Sequence, residues 1–149
     1  MRLPLAVAVK NFFGLFVLTP FERELLKRLS EALAAEDKEI LANQLTHFTT
    51  VRRLIRHLDE PNAHGYSNFY TLRFGKDVSA RCQAKKFASN DSSAVLASAH
   101  VAFDGGQIDV KFWLVKGVLF GIEYRSREKI YYPPDDYRIE ALVVWPQGE

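Results

Sequence analysis

The stretch from Ile108 to Arg125, IDVKFWLVKGVLFGIEYR, decides the fold, because its apolar residues sort onto one face only in a particular hairpin register. Take Val115, Lys116 and Gly117 as a three-residue loop with Gly117 in the left-handed conformation. Leu114 then faces Val118, Phe112 faces Phe120, Val110 faces Ile122 and Ile108 faces Tyr124, so one face is wholly apolar. A two-residue Lys116-Gly117 turn would instead set Val110 against Glu123 and Ile108 against Arg125, carrying charge into the core. The three-residue loop is therefore the expected connection, and it puts Trp113 opposite Leu119 on the polar face. Upstream, Asp104-Gly105 is a tight-turn dipeptide; a two-residue hairpin there pairs Val101 with Ile108, Ala99 with Val110 and Val95 with Leu114, adding a third strand to the same face.

Outward from this hairpin the periodicity changes. Thr19-Pro20-Phe21-Glu22 carries a helix start, with Thr19 as cap, Pro20 at the first helical position and Glu22 reaching back to the cap amide. Phe21, Leu25, Leu29 and Leu33 recur every four residues. A second start at Glu36-Asp37 leads a helical period through Ile40, Leu41, Leu45, Phe48, Val51, Ile55 and Leu58 to Pro61, with Thr46, Thr49 and Thr50 as its weak point. Helices first and strands afterwards, without alternation, indicate an α+β chain. The expected architecture is one domain over 1–149. A helical pair over 19–60 packs on one face of an antiparallel meander over 66–146, and residues 1–18 form an apolar leader or an extra strand.

Composition narrows the class without naming a chemistry. Hydrophobic content of 48% and charged content of 26% are ordinary globular values, which excludes a disordered or fibrous chain. Net charge is +2, and residues 19–60 carry seven Lys or Arg against eight Asp or Glu, so no half of the chain is basic. That balance argues against a dedicated nucleic-acid binder. Cys82 is the only cysteine, which rules out an intrachain disulfide and a thiolate zinc site and suits a reducing cytoplasm. The apolar runs Leu3 to Val9 and Phe12 to Leu18 are split by Lys10 and Asn11, and neither reaches the roughly 20 residues of a membrane span. A signal peptide is the weaker reading of this segment, because no clear cleavage site follows it.

Spaced elements of the chain carry a resemblance. Thr19-Pro20-Phe21-Glu22, Asn43-Gln44-Leu45, Asn68-Phe69-Tyr70, Arg73-Phe74 and the segment Phe112 to Tyr124 resemble those of small uncharacterised bacterial α+β proteins, over most of the chain after residue 18. In outline the chain is also similar to immunity proteins, which neutralise a toxin made by the same strain. The resemblance implies a fold and a protein partner; no activity comes with it.

Three sets of residues are candidates for function. The expected register aligns His100, Asp109 and Glu123 in one row on the polar face, with Ser98 and Lys111 beside them. Opposed carboxylates beside a histidine could perturb one pKa for acid–base work, although a solvated sheet face has the same composition. On the second helix Arg52, Arg53, Arg56 and His57 form a basic patch that could meet phosphates, or simply favour the helix dipole. Tyr131-Tyr132-Pro133-Pro134-Asp135-Asp136-Tyr137, with Trp113 and Leu119, could extend an aromatic surface for a protein partner. Cys82 has no local signature of a nucleophile, and no metal-binding or cofactor-binding motif is present.

From these features the expected function is a non-catalytic protein-binding domain. It would act as an immunity-type inhibitor or a self-associating subunit, through Trp113, Leu119, Tyr131, Tyr132, Tyr137, Arg52 and Arg56. The competing readings are a small enzyme using His100, Asp109 and Glu123, and a nucleic-acid binder using Arg52, Arg53 and Arg56.

Overall fold

The helical half begins where the sequence places it. In the computed structural model, which describes residues 16–56, 64–79, 83–89 and 91–146, α1 (Pro20–Ala32) opens on a complete capping box. The Glu22 amide donates to Thr19 Oγ1 at 3.2 Å, and the Thr19 amide donates to Glu22 Oε2 at 2.8 Å. Phe21, Leu25, Leu29 and Leu33 are all buried along one stripe. Cys82, His57 and the apolar leader before Phe16 lie outside the described residues, but the end of that leader joins the core: Phe16 packs on Phe48 and Phe69 at ring distances of 5.7 and 5.8 Å.

The second helix is shorter than the periodicity suggests. α2 (Ala35–His47) ends eleven residues before Leu58, and Thr50–Arg56 is strand β1. Val51 and Ile55 stand four apart, a spacing that puts two residues on one face of a helix and equally on one face of a strand. The β-branched run at Thr46, Thr49 and Thr50 decides between the two, since such residues lose rotamer freedom in a helix and fit a pleated surface. Thr46 Oγ1 donates to the Asn43 carbonyl at 2.6 Å, taking a backbone acceptor from the last turn.

The remaining strands are β2 (His64–Tyr70), β3 (Leu72–Arg73), β4 (Lys76–Asp77), β5 (Ser93–Phe103), β6 (Gly106–Val115), β7 (Val118–Arg125) and β8 (Arg138–Val144). Six of them form one antiparallel sheet in the order β1-β2-β7-β6-β5-β8, and β3 and β4 make a small separate hairpin. The run β5–β6–β7 is a meander; β2 joins it on the β7 side and β8 on the β5 side. Both helices precede the sheet, and their apolar stripes share one core with its inner face.

The deciding hairpin takes neither register weighed from the sequence. Its turn has two residues, Lys116 at φ +51° and Gly117 at φ +77°, the paired positive values of a type I′ connection. Val115 pairs with Val118 and Leu114 with Leu119; the ladder then slips between Leu114 and Trp113, after which Trp113 pairs with Gly121, Phe112 with Ile122 and Val110 with Tyr124. Phe120 is the extra residue. This bulge restores the parity that a two-residue turn alone would lose, so Val110, Phe112, Leu114, Ile122 and Tyr124 remain in the core. Phe112 and Phe120 consequently lie on opposite faces, contrary to the expected pairing, and Leu119 takes the core position.

The β5–β6 hairpin turns on Asp104-Gly105 and pairs Val101 with Ile108 and Ala99 with Val110 as expected. A second slip, at Leu96, pairs Val95 with Trp113 instead of Leu114.

Side chains hold the β6–β7 turn from outside. Gln44, fully buried on α2, donates from Nε2 to the Lys85 and Gly117 carbonyls at 2.7 and 3.0 Å, and its Oε1 accepts from the Leu119 amide at 2.8 Å. The Phe87 amide also donates to the Gly117 carbonyl, at 2.9 Å. A Cβ at Gly117 would lie 2.6 Å from the Phe87 carbonyl oxygen, in addition to its left-handed strain. Gly117→Ala is expected to cost about 2–3 kcal/mol and to lower the melting temperature by roughly 5–10 °C. Lys116→Gly, which relieves a positive φ without meeting that carbonyl, is expected to be neutral or stabilising. Calorimetry of both variants checks the turn; equal costs at the two positions would contradict it.

Candidate functional site

The helices leave one sheet face bare, and the strand alternation determines what it presents. From β1, Arg52 and Leu54 point to this outer face, while Val51 and Arg53 point to the core. Tyr66, Asn68 and Tyr70 come from β2, Phe120 and Glu123 from β7, and Trp113 and Val115 from β6. Together they line an open groove of 540 Å³. Tyr70 packs edge-on against Phe120 with ring centroids 5.8 Å apart, and the Arg52 guanidinium sits 5.4 Å from the Tyr70 ring centre.

Glu123 organises this groove. It is 4% exposed, and it accepts from Trp113 Nε1 at 2.7 Å on Oε2 and from Arg125 Nε at 2.7 Å on Oε1; His64 Nδ1 is 2.9 Å from Oε1. Burial pushes the carboxyl up, but the hydrogen bonds from Arg125, His64 and Trp113, with the charge of Arg125, outweigh it and hold the pKa below the usual carboxylate value. One ionised carboxylate thus fixes an indole, an imidazole and a guanidinium on an otherwise open surface. The His64 ring stacks on Tyr66, 6.2 Å between centres.

A second depression of 420 Å³ lies beside it, lined by Ser98, His100, Asp109, Lys111, Arg125, Ala141 and Val143. His100 Nδ1 is 2.8 Å from Asp109 Oδ1, and its Nε2 is 3.9 Å from Glu140. The expected pairing of His100 with Asp109 is present, but the three-residue row is not. Asp109 pairs with Arg125, and Glu123 pairs with Lys111, because the two-residue turn, one shorter than expected, and the bulge at Phe120 each shift β7 by one residue relative to the expected register. His100 and Asp109 come together; Glu123 belongs to the neighbouring groove.

The other expected site residues are redistributed. Leu119 is fully buried in the core instead of standing opposite Trp113. The basic patch is not on a helix: Arg52 is on the outer face of β1, Arg56 ends that strand, and Arg53 is buried inside against Glu22. The tyrosine loop folds inward. Tyr137 and Tyr132 pack on Phe21 at 5.1 and 6.0 Å, and the buried Tyr131 ring lies over the bare backbone of Gly65. Burial raises all three phenol pKa values. These tyrosines cover the start of α1 and leave Trp113 as the one aromatic of that set in the outer groove.

His64, Tyr66, Tyr70, Phe120 and Arg125 complete the surface and were not foreseen. A usable signal was Tyr66 and Tyr70, four apart and so on one face of a strand, but it needed the β2–β7 register to place them beside Trp113. Among the described residues, no group of three or more His, Cys, Asp or Glu side chains gathers to hold a metal ion, and no helix is long and apolar enough to cross a membrane. No protein-family model, no curated protein and no solved structure matches this chain.

Proposed function

We propose that the chain is a non-catalytic protein-binding domain whose recognition surface is the outer face of the sheet, centred on Trp113, Phe120, Tyr66, Tyr70 and Arg52. An immunity-type inhibitor and a self-associating subunit are the two forms this function takes. The observation that carries it is the locked indole: Trp113 stands on an open groove with Nε1 held by a buried carboxylate. A large aromatic anchor whose orientation is already fixed loses little entropy on contact with a partner, which is how binding hot spots are built. The charge arrangement supports binding over acid–base work, because the Glu123 carboxylate is held ionised by three neighbours, and His100 and Asp109 lie in a shallow, solvated depression. The inward turn of Arg53 likewise removes one of the three cations on which a phosphate-binding surface would rest.

Affinity capture from the source cells, read by quantitative mass spectrometry, tests this proposal. Trp113→Ala is expected to fold as wild type and to reduce recovery of a specific protein at least tenfold. Unchanged recovery with Trp113→Ala, or retention on RNA or DNA that falls steeply with salt, would contradict it.

A further inference from the structure

We infer that the partner of this face is a second copy of the chain, packed sheet to sheet about a two-fold axis that runs along the strands between β6 and β7. The inference rests on the outer face being the recognition surface, and three features select this occupant.

The first is charge. The bare face carries Arg52, Lys111, Arg125 and Arg138 against Asp109, Glu123 and Glu140, an interspersed mixture of both signs that suits neither a polyanion nor a strongly charged partner but suits itself. The second is register. Asp109 stands beside Arg125, and Lys111 beside Glu123, on the two central strands. Rotation about an axis parallel to those strands lays each β6 over the other copy's β7 at the same level, so Arg125 meets Asp109 of the second copy. An axis across the strands lays each strand on its own equivalent and, centred at this level, brings like charges together. The same rotation sets Trp113 over Gly121 of the second copy and the Asn68 side chain that lies against it, with Phe120 alongside.

The third is size. Six strands about 4.8 Å apart and about seven residues long span roughly 29 Å by 23 Å, on the order of 700 Å² before side-chain relief, close to the ~800 Å² per partner of a stable interface. Exposed Val143, at 53%, and Trp145, at 50%, continue the apolar surface to the β8 edge.

Two charge-reversed chains test this arrangement. Sedimentation of wild type across micromolar concentrations is expected to show a species of twice the 17.0 kDa chain mass. Asp109→Arg alone and Arg125→Asp alone should each dimerise at least tenfold more weakly. An equimolar mixture of the two should restore the dimer, because both contacts across the axis then join opposite charges. Rescue in the mixture cannot arise within one chain. A wild type that stays monomeric overturns self-association while leaving capture of a different protein by this face to be decided by the Trp113→Ala comparison. A dimer that persists in Asp109→Arg, Arg125→Asp and Trp113→Ala overturns the placement of the interface and weakens the recognition surface with it. A weakened dimer without rescue in the mixture overturns the proposed axis.

Discussion

Replacing Glu22 with Ala is expected to remove about 3–5 kcal/mol of stability, a large fraction of the total for a domain of this size. Glu22 is fully buried on α1, and its carboxylate holds four donors from three directions. Arg53 binds it through Nε and Nη2, Ser67 donates to Oε1 at 2.6 Å, and the Thr19 amide completes the helix cap. Tyr124 extends the chain by donating to Ser67 Oγ at 3.2 Å, and Arg53 also donates to the Val17 carbonyl at 2.9 Å. Loss of the carboxylate leaves the Arg53 guanidinium buried at 4% side-chain exposure without its counter-charge. That uncompensated charge, more than the lost attraction, sets the cost. Replacing both partners, as in Glu22→Met with Arg53→Met, should therefore cost much less than the two single changes added together. Urea denaturation of wild type, Glu22→Ala, Glu22→Met, Arg53→Met and the double variant measures this directly. A loss below about 1 kcal/mol for Glu22→Ala, or additive single changes, would show that the pair is not the strut between α1 and the β1–β2 edge described here.

This strut was also the feature least legible in the sequence. A buried Arg–Glu pair bridging residues 22 and 53 has no local signature, since each residue is an ordinary member of a charged helix face until the strand alternation of β1 is known. The same ambiguity hid β1 itself, where the four-residue spacing of Val51 and Ile55 satisfies both periods. By contrast, the α1 cap and stripe, the Asp104-Gly105 turn and the inner-face membership of Ile108, Val110, Phe112 and Leu114 were readable, because each depends on residues within one or two turns of chain. The α+β order of two helices before an antiparallel sheet followed from those local signals.

The site was legible only in part for a related reason. His100 and Asp109 meet because their hairpin is regular from its two-residue turn up to that point, whereas Glu123 left the expected row through a turn one residue shorter than expected and a bulge whose one local sign is the in-strand Gly121. Leu119 and Phe120 are both large and apolar, so composition could not say which of them enters the core. The tyrosine loop showed the opposite problem. Its aromatic content suggested a surface, but Phe21 at the start of α1 offers it a buried seat.

The second large effect distinguishes Leu119 from Phe120. Leu119 is fully buried among the core residues of the inner face, whereas Phe120 sits in the outer groove against Tyr70. A carboxylate placed in the core without a partner costs on the order of 5 kcal/mol or more, enough to unfold a marginal domain, whereas the same change on a half-exposed outer position costs about 1 kcal/mol. The most direct measurement is thus the thermal unfolding of Leu119→Asp beside Phe120→Asp. With a bulge at Phe120, Phe120→Asp keeps a cooperative transition within a few degrees of wild type and Leu119→Asp has none. A cooperative transition for Leu119→Asp and its loss for Phe120→Asp would contradict the register, and with it the outer face on which Trp113 and its neighbours meet.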